Sequence, residues 1–384
     1  MLLTFSPLMS LGVSAFVFSI GLLVALAIDH WLGEPPVRWH PVVWMGNYLG
    51  WAGRWLAPPR HALAPGQVAR KAQPGSSVPL PVRPDYKAFG LGALVWHGGV
   101  AIVCVAAWAL QEGLLALPDA VGPLGGSLLA ALLLGLALKP MLAWAMLRSE
   151  VLAVEAALSP AHGGSLAQGR ERLRWLVSRD VTNLTKCQVR ESAIETLAEN
   201  LNDSVVAPIF WFVLLGLPGA ALYRFANTAD AMWGYRGLYK GQNWEWAGKW
   251  AARADDALSW LPARITAVLL AMVSQFHKGR SPRPLSISAL AADTDAPLAS
   301  SFMARLRTEA ARTPSPNSGW PMAAMALALN VRLQKPGVYV LNAAGRTPGP
   351  QDTKNALANA SKVVLAHVFI SLIAIIFVSF EKLA

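Results

Sequence analysis

Residues 190–203, RESAIETLAENLND, set Glu191, Glu195, Glu199 and Asp203 at four-residue intervals. On an α-helix each such step drifts by only about 40°, so the four carboxylates form one stripe. Like charges at that spacing repel by roughly 0.2–0.5 kcal/mol per exposed pair. The stripe therefore asks for a cation: an arginine, a lysine, a metal ion or a cationic substrate. Asn200 and Asn202 add neutral oxygen donors, and the helix runs directly into the apolar stretch VVAPIFWFVLLG. Hard oxygen ligands of this kind suit Mg²⁺, which keeps several waters and bridges to substrate phosphates. Arg179 and Asp180 of VSRD, with Asn183, lie just upstream. A solvated helix face paired locally with Arg190 and Lys186 is the competing explanation.

Four further stretches carry polar chemistry beside apolar segments. YRFANTADAMWGYR (223–236) offers Asn227, Thr228, Asp230 and Arg236, although Asn and Thr also serve as helix N-caps. ARADDALSWLPARITA (252–267) places Asp255 and Asp256 before an apolar segment and Arg264 inside it. Charges so near hydrocarbon are functional or paired. SPNSGWPMAAMA (315–326) reads as a helix start with a proline in its first turn, where free amides with Ser315, Asn317 and Ser318 could take a phosphate, or simply cap a turn. DHWLGEPPVRWHPVVWMG (29–46) brings Asp29, Glu34 and His40 just beyond an apolar segment, as an acid–base cluster or as a Pro-Pro turn within an interfacial Trp belt. There is no GxxxxGK[ST] loop, no HExxH, no GxSxG and no CxxC, so Walker-type ATPases, zincins and serine hydrolases are not indicated.

The elements that must position these residues are apolar helices. Of 384 residues 54% are hydrophobic and only 14% charged, and the mean hydropathy is +0.39. An all-α integral membrane protein follows. Segments near 9–28, 90–110, 126–147, 204–222, 257–276 and 363–380 approach the ~20 residues that cross a bilayer core. That makes about five or six apolar helical segments, with helical cytoplasmic loops at 148–203, 223–256 and 277–362 carrying the site. No Lys or Arg precedes the first segment, which reads as an uncleaved span rather than a signal peptide. The two cysteines, Cys104 and Cys187, imply no disulfide framework.

The net charge of +11 is spread over the loops between apolar segments, so positive-inside bias accounts for it and nucleic acid is not a partner. Loop 29–89 carries seven Lys or Arg and 111–125 carries none, which puts the former in the cytoplasm. Within it, 57–89 is a basic, Pro-rich flexible linker. Loop 223–256, with Arg224, Arg236, Lys240, Lys249 and Arg253, would fall outside if both its neighbours spanned. One or two re-entrant segments resolve that conflict.

Taken together, D..LGEPP..WHPVVWMG, VSRD...L, ESAIETLAENLND..VAP.F, NT.D.M.GYR, ARADD.....PARITA and SPNSGWPMAAMA.AL.VRL resemble the cobalamin-biosynthesis CobD/CbiB family of adenosylcobinamide-phosphate synthases. The resemblance covers most of the chain outside 57–89, 280–312 and the C-terminal tail. Ser259 and Gln334-Lys335 depart from the family pattern, where an Asn and a Gly-Gly are expected. It implies a multi-pass protein of the bacterial cytoplasmic membrane, working beside other cobalamin-pathway membrane enzymes. Its reaction would be ATP-dependent amide ligation of adenosylcobyric acid with aminopropanol or its O-phosphate, using Mg²⁺. On that reading Glu195, Glu199, Asp203, Asp255 and Asp256 hold metal or aminium, with Asp230 completing the acidic side. Glu195, Glu199 and Asp230 form the catalytic group, and His40 accepts a proton from the amine. Arg179, Arg236 and Arg264 clamp phosphate or propionate, and Asn200, Asn227, Thr228, Ser315, Asn317 and Ser318 contact substrate. A corrinoid-binding scaffold or transporter, or another Mg²⁺-dependent membrane transferase, stands as the alternative.

Overall fold

In the computed structural model residues 7–57, 84–275 and 298–381 are described. Residues 58–83, most of the expected linker, and 276–297 lie outside them; Tyr86–Phe89, assigned to the linker, already belong to a helix. The described residues are mostly helical. In order the helices are α1 (Pro7–Leu32), α2 (Pro41–Leu56), α3 (Tyr86–Leu115), α4 (Leu117–Val121), α5 (Pro123–Leu138), α6 (Trp144–Leu158) and α7 (Leu166–Leu173). They continue with α8 (Lys186–Leu201), α9 (Ala207–Trp233), α10 (Lys249–Gln275), α11 (Leu298–Ala310), α12 (Gly319–Leu329) and α13 (Pro350–Glu381). Two small antiparallel hairpins, β1 (Leu238–Tyr239) with β2 (Gln242–Asn243) and β3 (Leu333–Lys335) with β4 (Tyr339–Leu341), complete the described elements.

Local sequence sets the boundaries. Asp85 caps α3 by accepting from Ala88 N, and Thr185 with Gln188 forms a reciprocal capping box on α8. Pro41, Pro123 and Pro350 open α2, α5 and α13 at first positions that need no amide donor. The expected 126–147 segment ends early: α5 stops at Leu138, a 3-10 turn at Lys139–Met141 follows, and α6 sets off separately.

Among the described residues six helical stretches are long and apolar enough to cross a membrane. Their outer faces are apolar as well. Leu365, Phe369, Ile373 and Phe377 recur every four residues on α13 and stay 53–70% exposed, and Ile102, Val105 and Trp108, three residues apart on α3, are 55–62% exposed. A contiguous exposed stripe of this size on a span-length helix is a lipid-facing surface. Inside, α1 and α5 approach closely at small residues: a Cβ on Gly135 would stand 2.8 Å from the Gly21 carbonyl oxygen.

The fourth stretch is not one straight span. α9 is broken at Gly216 (φ 67°, ψ −154°), two residues before Pro218. Asp203 and Asn227, 24 residues apart, are in contact at 3.4 Å. A straight helix would separate them by about 36 Å. The chain therefore doubles back at Gly216 and forms a re-entrant hairpin. Its freed Leu217 amide donates to Gln111 Oε1 of α3 at 2.8 Å, satisfying a backbone group at the break. Both ends of the hairpin emerge on the side from which α8 arrives, so loop 223–256 shares that side.

A second, smaller core of Val154, Leu158, Leu173, Val181, Leu184, Val189 and Ala193 joins α6, α7 and the start of α8. Arg190 and Glu155 are buried beside it. They pair through bonds of 2.7–3.0 Å, and Thr353 of α13 donates to the same carboxylate at 2.8 Å. Arg190 thus serves α6 and α13, not the acidic stripe.

Candidate active site

The α8 stripe forms as spaced, and its cations come from the segment just upstream and from beyond α12. Glu191 faces Arg332 at 3.5 Å, and Glu195 receives Arg179 at 3.0 Å and the Tyr339 hydroxyl. Arg179 also donates to Ser192 at 2.6 Å. The Glu199 carboxylate makes no hydrogen bond or ion pair with a described residue. After Leu201 the helix widens into one π-turn, Asn202–Val206, a deformation frequent at functional sites. Thr266 of α10 fixes that turn by donating to Asn202 Oδ1 at 3.1 Å. Asp203 then accepts from Asn202 (2.8 Å), Tyr223 (3.4 Å) and Asn227 (3.4 Å). Arg224 of the returning arm bonds the Asp203 carbonyl at 3.3 Å.

Two joined chambers lie along this stripe. The first, about 400 Å³, is lined by the acids Glu199, Asp203, Asp230, Asp255 and Asp256, with Asn227, Ser259, Asn317 and a single cation, Arg236. Asn227 Nδ2 spans Asp203 and Asp255 at 3.4 Å each, and Ser259 bonds Tyr223 at 3.0 Å. The second, about 310 Å³, is lined by Arg179, Lys335, Glu195, Thr196, Asn200, Ser178 and Tyr339. Glu199, Pro314, Ser315 and Ser318 line both. One chamber thus collects negative charge, the other mixes two cations with two acids, and Glu199 stands between them.

Loop 314–318 separates the chambers through its own bonds. Ser315 Oγ accepts the amides of Asn317 and Ser318 at 3.2 Å each, so those amides are turned inward and are not free for a phosphate, contrary to the expectation for this helix start. Asn317 Nδ2 holds the Asp256 carbonyl at 2.7 Å. Tyr235, which lines neither chamber, stacks on Tyr239 with centroids 3.5 Å apart, and burial pushes its phenol up to about 12. Asp180 is exposed; the Thr182 amide and hydroxyl donate to it at 2.9 and 2.7 Å, which lowers its pKa, and it lines neither chamber.

Glu195, Glu199, Asp203, Asp230, Asp255, Asp256, Arg179, Arg236, Asn200, Asn227, Ser315, Asn317 and Ser318 all line this cleft. Three expected residues do not. Thr228 bonds the Arg224 carbonyl of its own helix at 2.6 Å. Arg264 lies behind the loop, bonded to Asn317 Oδ1 at 3.0 Å. His40 caps α2 and pairs with Glu34 at 3.2 Å, and Glu34 in turn meets Lys139, which also meets Asp29. Lys139 sits at the break after α5 and is almost wholly buried, so His40 belongs to an ion cluster that ties α1, α2 and α5 together.

Among the described residues no three His, Cys, Asp or Glu converge as a ready-made metal site. The donor chemistry still fits Mg²⁺, which is commonly held by one or two carboxylates and completed by waters and phosphate oxygens. Lys335 and Tyr339, absent from the sequence-based set, are brought to the cleft by the β3–β4 hairpin. Their only signal in the sequence was the Gln334-Lys335 departure.

The family model described as CobD/Cbib protein matches residues 22–366. A "Probable cobalamin biosynthesis protein CobD" of Methanothermobacter thermautotrophicus is 36% identical over 324 residues, 83% of this chain and 85% of the relative. The "Cobalamin biosynthesis protein CobD" of Chromobacterium violaceum is 34% identical over 344 residues, 89% of this chain and 90% of the relative. A "Probable cobalamin biosynthesis protein CobD" of Methanocaldococcus jannaschii is 29% identical over 352 residues, 92% and 95% of the two chains. No solved structure matches the chain significantly.

Proposed function

The chain belongs to the CobD/CbiB family, and on that footing we propose that it acts in cobalamin biosynthesis as an ATP-dependent acid–amine ligase. It would join adenosylcobyric acid to aminopropanol or its O-phosphate in a cleft that opens to the cytoplasm. The observation that carries the reading is the adjacency of an acid-rich chamber and a chamber bearing two cations, with Glu199 common to both.

A carboxylate is a poor acylating agent until one of its oxygens becomes part of a leaving group. In the proposed route a corrinoid carboxylate oxygen attacks the γ-phosphorus of ATP, ADP leaves, and an acyl phosphate forms. The amine nitrogen then attacks the acyl carbon and phosphate departs, carrying the former carboxylate oxygen. Arg179 and Lys335 would hold phosphate oxygens, and Arg179 Nε is buried with no hydrogen-bond partner among the described residues. The acid chamber binds the amine as its ammonium form and draws off the proton it must lose. With His40 away from the cleft, Glu199 and Asp230 are the candidates for that base. Mg²⁺, held by one or two of Glu199, Asp203, Asp230, Asp255 and Asp256, would offset phosphate charge during transfer.

The test is mass spectrometry of products from purified protein given adenosylcobyric acid, the amine or its phosphate, and Mg-ATP. An amide that forms only with ATP supports the ligase. Corrinoid binding without product, from folded protein, favours the scaffold or transporter reading.

A further inference from the structure

Behind loop 314–318, on the side of Asn317 away from Asp256, lies a separate groove of about 530 Å³. It is lined by Trp260, Arg264, Met303, Ala304, Arg307 and Trp320. The Arg264 guanidinium lies 4.3 Å from the Trp260 ring centroid and 4.8 Å from that of Trp320. Its hydrogen bonds go only to uncharged oxygens: Trp260 O at 2.6 Å, Asn317 Oδ1 at 3.0 Å and Pro316 O at 3.4 Å. Arg307 is exposed and forms no ion pair with a described residue. None of the six lining residues is acidic. Among the described residues the groove therefore holds two positive charges with no acid lining it, beside two indoles of the kind that collect at membrane interfaces.

The groove continues into an apolar surface. Trp260, Leu261, Val268 and Met272 lie on one face of α10 and are 54%, 46%, 40% and 52% exposed, on a helix apolar enough to enter a membrane. An unneutralised arginine pair at the head of a lipid-facing strip matches a ligand with phosphate at one end and hydrocarbon at the other. A soluble nucleotide or a free phosphate would use the arginines and leave the strip bare. We propose that this groove is a binding site for an anionic phospholipid, its phosphate on Arg264 and Arg307 and an acyl chain along Leu261, Val268 and Met272. Arg264 is joined through Asn317 to Asp256, so the bound lipid would brace the loop that both cleft chambers share.

The test does not depend on any catalytic activity. The full chain, extracted in mild detergent and given equal phosphatidylglycerol and phosphatidylcholine, is analysed by native mass spectrometry for retained lipid. Wild-type protein is expected to retain phosphatidylglycerol in preference, and Arg307→Gln to lower that preference about tenfold, the loss of one charge-assisted phosphate contact. Arg307→Lys should keep most of it. Arg305→Gln, an equal charge change on the same exposed helix but outside the groove, should leave it intact. Equal retention of both lipids by wild type, or equal losses in the Arg305 and Arg307 variants, would overturn the site. Displacement of phosphatidylglycerol by millimolar inorganic phosphate would reassign it to a soluble anion.

Discussion

Replacing Gly216 by alanine tests the hairpin that brings Asn227 and Asp230 back to Asp203. Gly216 has φ 67° and ψ −154°, a region essentially closed to residues with a Cβ, and forcing one there costs about 1–3 kcal/mol. The new methyl would also collide with Gln111 Oε1. If Gln111 moves, the Leu217 amide loses its 2.8 Å partner, and an unsatisfied buried amide costs a further ~1–3 kcal/mol. The combined loss is about 2–6 kcal/mol, which for a chain of 384 residues lowers the midpoint of thermal unfolding by roughly 2–8 °C. Differential scanning fluorimetry of wild type, Gly216→Ala and the double variant with Gln111→Ala measures it. The double variant removes the collision but not the lost bond, so it should recover only part of the difference. A Gly216→Ala protein as stable as wild type would refute the break. The topology has its own check: single cysteines at Thr182 and Lys240, in a background lacking Cys104 and Cys187, should be labelled from the same side of the membrane.

Three further outcomes are expected. Glu155→Ala leaves Arg190 buried without its carboxylate and should cost about 3–5 kcal/mol, against less for the double variant with Arg190→Met, as read by unfolding midpoints. Lys335→Ala should raise the KM for the phosphate-bearing substrate about five- to tenfold with kcat little changed, because a half-buried lysine adds roughly 1 kcal/mol of uniform binding; a fall confined to kcat would count against that placement. His40→Ala should weaken the α2 cap by about 0.5–2 kcal/mol and leave turnover within about twofold. A loss of roughly 100-fold or more would restore His40 as the proton acceptor.

The membrane-helical architecture was legible in the sequence because hydropathy over span-length segments directly reports the solvent a helix prefers. The α8 stripe was legible because four-residue spacing is a local property of the helix. The direction of the hairpin was legible only as a conflict: five basic residues in 223–256 opposed a straight crossing. The residue that resolves it, Gly216, is one glycine among 31. Long-range pairings were not readable. Arg190 sits inside the stripe's own sequence yet turns to Glu155, while Arg332 and Lys335, more than 130 residues from Glu195, supply the charge beside it. His40 does not line the cleft: its sequence neighbours Asp29 and Glu34 do gather around it, but Lys139, from beyond α5, joins them in an ion cluster there.

The measurement that bears most directly on the proposed chemistry follows the corrinoid oxygen. Adenosylcobyric acid labelled with ¹⁸O in its free carboxylate is incubated with the protein, Mg-ATP and the amine, and the released phosphate is analysed by mass spectrometry. Activation as an acyl phosphate predicts one ¹⁸O in each inorganic phosphate released per amide formed, with ADP as the other product. Amide formation with unlabelled phosphate, or with the label in AMP, would contradict the proposed route, and corrinoid bound without any amide would contradict the ligase itself.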